Sequence, residues 1–100
     1  MSRDVQRFQM IFKKDQFERI TEANENNYIV DVHWFHKSET KKMLNNMINV
    51  VTHPCSITVI HGYNNGTVLL EMIRKELVNP KIVKISSVAF NPGETILEIA

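Results

Sequence analysis

The spacing of apolar positions changes several times along the chain, and each change marks an element. Val5, Phe8 and Phe12 recur at helical spacing, and Phe17 and Ile20 continue that stripe after a drift. The alternation Phe8, Met10, Phe12 also fits a short strand. No turn residue interrupts Ser2 to Ala23, so a helix is the preferred reading, followed by a loop at Asn24–Asn27. From Tyr28 to His33 the period becomes two. Val30 and Val32 then share one face while Asp31 and His33 share the other. Met43, Leu44, Met47, Ile48 and Val51 restore helical spacing over about 38–52, with His36 or Ser38 as the cap and Glu39 in capping-box position after His36. His53-Pro54 ends that helix. Ser56 to His61 alternates again as a second strand. Leu69, Leu70, Ile73 and Leu77 predict a helix over about 67–78, closed by Asn79-Pro80. Lys81 to Phe90 holds a third strand, Asn91-Pro-Gly-Glu94 a turn, and Thr95 to Ile99 a fourth strand.

The predicted order is therefore a helix followed by β-α-β-α-β-β, an α/β fold. Strand–helix alternation predicts right-handed crossovers and parallel pairing among the first three strands. The Pro-Gly turn predicts an antiparallel hairpin at the end. The expected product is a two-layer sandwich. Its four-stranded mixed sheet carries two helices on one face, against Val30 and Val32, and leaves the other face partly open. Residues 1–27 form an N-terminal amphipathic extension to a domain spanning 28–100.

One hundred residues suffice for one domain with a modest core. The net charge of +1 excludes a chain that attracts polyanions along its whole length. The charge is uneven: residues 1–32 balance to −1, residues 33–90 to +4 and the last ten to −2. A mildly basic central region suits phosphate contact. The single cysteine, Cys55, excludes an intrachain disulfide and fits a reducing compartment. No apolar run approaches the roughly 20 residues that span a bilayer, so a cytoplasmic protein with no membrane partner is expected.

Two stretches carry candidate chemistry. In Val30-Asp-Val-His33, the Asp31 and His33 side chains start roughly 7 Å apart on one strand face. That arrangement suits a carboxylate that orients an imidazole for acid–base work. In Ile60-His-Gly-Tyr-Asn-Asn-Gly66, a glycine- and asparagine-rich turn joins a buried strand to a helix. Such a turn aims backbone N–H groups at an anion. His33 and His36 form an H-x-x-H pair, but the spacing matches no zinc signature. No metal is assigned, although a divalent ion arriving with a substrate is compatible with the site. There is no nucleophile elbow, P-loop lysine or cysteine cluster.

Together with Pro92-Gly-Glu-Thr-Ile-Leu-Glu-Ile99, these motifs make the segment from Ile29 to Ile99 resemble the Smr (small MutS-related) domain. The resemblance implies a fold like the C-terminal domain of translation initiation factor three. It also implies DNA or RNA as partner, with DNA-nicking or RNA endonuclease activity, or binding without cutting. Asp31 and His33 would be catalytic. His61, Gly62, Asn64 and Gly66 would contact nucleic acid, with Lys41, Lys42 and Arg74 as candidate phosphate contacts on the two helices. The chain departs from the family at Trp34, where glycine is usual, at Tyr63 in place of a basic residue, and at Asn64 in place of glycine. A different class of function is also open: a non-catalytic protein-interaction module, dimerising through its N-terminal segment.

Overall fold

The computed structural model of the chain describes residues 2–63 and 67–100. Ser2 caps the first helix, α1 (Arg3–Ile11), its hydroxyl accepting from the Val5 N–H at 3.1 Å. The helix stops at Phe12, whose backbone is extended. A single turn, α2 (Lys14–Phe17), follows, and the chain then enters a strand, β1 (Ile20–Asn24). The expectation of helix as far as Ala23 is therefore corrected. Phe17 and Ile20 lie off the Val5–Phe8–Phe12 stripe because they belong to other elements. The Asn24–Asn27 loop is the turn of a β-hairpin, closed by Asn26 N–H donating to Asn24 Oδ1 at 2.9 Å.

The remaining elements are β2 (Asn27–Asp31), α3 (Lys37–Val50), β3 (Cys55–Ile60), α4 (Val68–Glu71) running into a π-helical turn at Met72–Glu76, β4 (Ile82–Val88) and β5 (Asn91–Ile99). The mixed sheet has five strands rather than four, in the order β1-β2-β3-β5-β4. β2 and β3 are parallel, joined by the crossover through α3, and every other pairing is antiparallel. The expected parallel run of three strands is corrected, because β5 inserts between β3 and β4. The hairpin turn also differs. Val88 pairs with Asn91, so Ala89 and Phe90 make the bend and Pro92-Gly93 lies inside β5. Proline is tolerated there, near the start of a strand.

One face of the sheet carries the core. Tyr28 and Val30 of β2 align with Ile57 and Val59 of β3, and Leu97 of β5 continues the row. Against them pack Phe8 from α1, Met43, Leu44, Met47 and Ile48 from α3, and Met72 and Ile73. Val30 and Val32 are fully buried and the Asp31 side chain is one-third exposed, so the register predicted for this strand holds. Ile29, Thr58, Ile60 and Ile96 line the opposite, partly open face.

The N-terminal segment contributes to this core. Phe8 meets the Tyr28 ring edge-on at 5.4 Å, and Phe12 sits beside it at 6.1 Å. Asp4 is 2% exposed. Its carboxylate accepts from Thr52 Oγ1 at 2.9 Å, the Thr52 N–H at 3.2 Å and the Tyr28 hydroxyl at 3.4 Å, and it pairs with His53 Nδ1 at 3.1 Å. Burial lifts the Tyr28 hydroxyl to about 12. The stripe offered for dimerisation is therefore used within the chain, leaving Met10 and Ile11 as its exposed apolar residues.

Candidate active site at the carboxyl end of the parallel strands

β2 and β3 run in the same direction, so the loops after them emerge together. This is where open α/β sheets ordinarily bind ligands. Asp31 ends β2, its N–H donating to the Arg19 carbonyl at 3.0 Å. The chain then turns tightly, with Phe35 N–H donating to the Val32 carbonyl at 2.9 Å. That turn swings His33 back onto Asp31. The His33 N–H donates to Asp31 Oδ1 at 3.3 Å, and the ring Nδ1 pairs closely with the same oxygen. With Nδ1–H held by the carboxylate, Nε2 is the nitrogen left to exchange a proton. No hydrogen bond among the described residues engages it. Both side chains are about one-third exposed.

Gly62 closes the other side of the site. Its φ of +78° is one that side chains disfavour, and a Cβ there would lie 3.1 Å from His33 Cβ. Glycine is thus required twice, for backbone conformation and for His33 to fit. The Gly62 and His61 N–H groups both donate to the Gly93 carbonyl, at 3.1 and 2.9 Å. The expectation that this turn offers its backbone to an anion is corrected at Gly62, because β5 already takes that donor. Asn64 and Gly66 lie outside the described residues.

His61 is buried, 4% exposed, on the helix-covered side. Nδ1–H donates to the Gly62 carbonyl at 2.8 Å, and Nε2 accepts from Thr95 Oγ1 at 2.9 Å. Arg74 Nη2 in turn reaches Thr95 Oγ1 at 3.4 Å. Burial pushes the His61 imidazole below its ordinary range, and the neighbouring Arg74 charge acts in the same direction. The ring is therefore the neutral tautomer that these partners need. His61 braces the turn from within, and exposed Arg74 reaches it through Thr95.

The two lysines separate as well. Adjacent residues on a helix point about 100° apart. Lys42 faces α1 and α2, where it borders a groove of about 240 Å³ with Ile11, Phe12, Gln16, Glu39 and Met43. Lys41 follows Lys37 by one turn on the other flank, where Lys37 Nζ meets Glu76 at 2.8 Å. The structure thus joins Asp31, His33 and Gly62, while Lys42 faces α1 and α2 and His61 is buried on the helix-covered side.

Sequence reasoning missed Arg19 and Gly93. Arg19 adjoins Asp31 through the backbone and lays its guanidinium over Phe35 at 5.7 Å. The Pro-Gly pattern predicts a turn at Gly93, whereas its carbonyl, within β5, ties the His61-Gly62 backbone. Neither role has a local signature, since both depend on strand pairing. Among the described residues no group of three His, Cys, Asp or Glu side chains could hold a metal ion. Burial raises the Cys55 thiol, which disfavours thiolate chemistry.

No protein-family model matches the chain, and comparisons with curated proteins and with solved structures give no significant match.

Proposed function

We propose that the chain is an Smr-like nucleic-acid-binding domain that acts on phosphodiesters at the Asp31–His33 edge. The observation that carries this reading is the His33 ring, held by Asp31 through Nδ1 with Nε2 left on a half-exposed edge. That is the arrangement of a general base oriented by a carboxylate. In the reaction, Nε2 accepts the proton of an attacking hydroxyl, the 2′-hydroxyl of RNA or a water. The oxygen attacks phosphorus, and the leaving 5′-oxygen takes up a proton. Asp31 stabilises the imidazolium formed in that step. Exposed Trp34 and Tyr63 flank the dyad, and Arg19 supplies a nearby cation. The three motifs shared with the Smr pattern support the same reading. A cytoplasmic setting belongs to it. Among the described residues no helix is long and apolar enough to cross a membrane.

The test is incubation with labelled RNA and with supercoiled plasmid, with and without a divalent metal. His33→Ala should lower cleavage by about 10²–10⁴-fold, the usual worth of a positioned acid–base group. Asp31→Asn should lower it with the fold intact. Cleavage that is indifferent to His33→Ala would refute the assignment.

A further inference from the structure

Phe90 is the most exposed large apolar residue described in the chain, fully open to solvent at the β4–β5 turn. It is also the one residue other than glycine with positive φ among the described residues, at +63°. Asparagine or glycine ordinarily takes the second position of a turn of this kind. A left-handed backbone costs a bulky residue stability, and here no packing of the ring offsets that cost. Strained residues retained in this way cluster at binding surfaces.

Its place in the sheet is informative. β5 begins beside the end of β3, with Ile60 opposite Glu94 and the Gly93 carbonyl on the Gly62 N–H. The Phe90 turn therefore stands at the same end of the sheet as the loops after β2 and β3. Those loops carry Trp34, 67% exposed, and Tyr63, 53% exposed. The three rings thus stand one per loop along a single edge. Polar groups share this end of the sheet: the Asp31–His33 pair, with Trp34 lying 4.6 Å from the His33 ring, and the bonded Asn91 and Glu94 side chains. A protein partner would favour one contiguous, desolvated apolar patch.

We infer that Trp34, Tyr63 and Phe90 form a stacking track for single-stranded nucleic acid, leading the strand across the Asp31–His33 pair. The inference rests on the nucleic-acid reading above and narrows it to unpaired strands. Bases in a duplex cannot offer their faces to these rings without being opened. Stacking on the rings adds to whatever affinity phosphate neutralisation supplies.

Trp34 is the single tryptophan, so its fluorescence reports on the track directly. A homopyrimidine strand of about a dozen nucleotides is titrated against the same sequence as a duplex. The strand should quench Trp34 emission, and the duplex should bind at least about 10-fold more weakly. Phe90→Ala should weaken strand binding by about 5- to 150-fold, the range that base–aromatic stacking is worth. Phe90→Gly should weaken it equally while raising the melting temperature by several degrees, because the strained backbone is relieved. That pairing separates loss of binding from loss of fold. Equal binding of strand and duplex, indifferent to Phe90→Gly, would overturn the track and leave nucleic-acid binding standing. No response to any nucleic acid would overturn both readings. Self-association seen by sedimentation and abolished by Phe90→Gly would then assign the edge to a second copy of the chain.

Discussion

Replacing Asp4 with alanine should cost the protein about 3 kcal/mol, although the residue lies in the first turn of an N-terminal helix. The magnitude follows from which of its partners can recover. Thr52 Oγ1 belongs to an exposed residue, and His53 is more than one-third exposed, so both can turn to water. The Tyr28 hydroxyl belongs to a fully buried residue and keeps only the Ser2 side chain beside it, and the Thr52 N–H is part-buried. Each stranded donor costs about 1–3 kcal/mol, and the two together give the figure above. A domain of this size has about 5–15 kcal/mol in total, so the loss is a large share. It should lower the melting temperature by about 12–24 °C. Urea titration followed by circular dichroism measures the change. Tyr28→Phe supplies the control, because it removes one stranded donor. Tyr28→Phe and Asp4→Ala together should therefore cost at least about 0.5 kcal/mol less than the sum of the single changes. A cost for Asp4→Ala below about 0.5 kcal/mol, or strict additivity with Tyr28→Phe, would refute the argument and return Asp4 to an ordinary helix-end charge.

Two further outcomes are expected. Gly62→Ala places a Cβ 3.1 Å from His33 Cβ on a backbone at φ +78°, so it should destabilise by about 1–3 kcal/mol and shift the His33 ring resonances; an unchanged spectrum and melting temperature would show that the turn has room to spare. His61 has a lowered pKa in the folded state, so the unfolded chain binds the extra proton first; its contribution is fully present above the ordinary histidine value of 6.5 and is lost as pH falls through the folded value. Stability should therefore drop on acidification below about pH 6.5, and His61→Gln should flatten that part of the profile; an unaltered profile in His61→Gln would place the titration elsewhere.

The parts of the fold legible in the sequence are those fixed by local periodicity. The β2 face assignment, the span of α3 and the β3 alternation all follow from apolar spacing, because one face of each element packs on one core. Strand β1 was not legible. Its residues are largely exposed, so no alternation marks it, and only pairing with β2 makes it a strand. The β4–β5 turn was misplaced for a related reason. Pro92-Gly93 has turn chemistry, but the register of β5 on β3 holds it in the sheet and moves the bend to Ala89-Phe90. At the site, the nearness of Asp31 and His33 was legible in their spacing of two, but the turn after β2, not a shared strand face, brings them into contact. The burial of His61 and the turning of Lys42 toward α1 and α2 were not legible. His61 follows the strand alternation onto the covered side, and its partner Thr95 lies 34 residues away.

The sheet divides its tasks between its two ends. At the start of the parallel strands, polar groups are locked by partners. Asp4 is bonded to Tyr28, Thr52 and His53, and Lys81 Nζ donates to the Ile48 and Val51 carbonyls at 2.8 and 2.9 Å, closing the end of α3. Those contacts join α1, α3 and the approach to β4, and they serve stability. At the carboxyl end the opposite conditions hold. Both positive-φ residues described in the chain, Gly62 and Phe90, lie there, as do exposed Trp34 and Tyr63 and a histidine with one nitrogen uncommitted. Each feature costs stability or leaves it ungained, and their concentration at one end is what separates a site from a collection of loops. The latched end permits this, since strain at the far loops is carried by a core that α1 and Asp4 hold closed. Changes at Asp4 should therefore lower the melting temperature without altering ligand affinity, whereas Phe90→Gly should raise it while weakening binding.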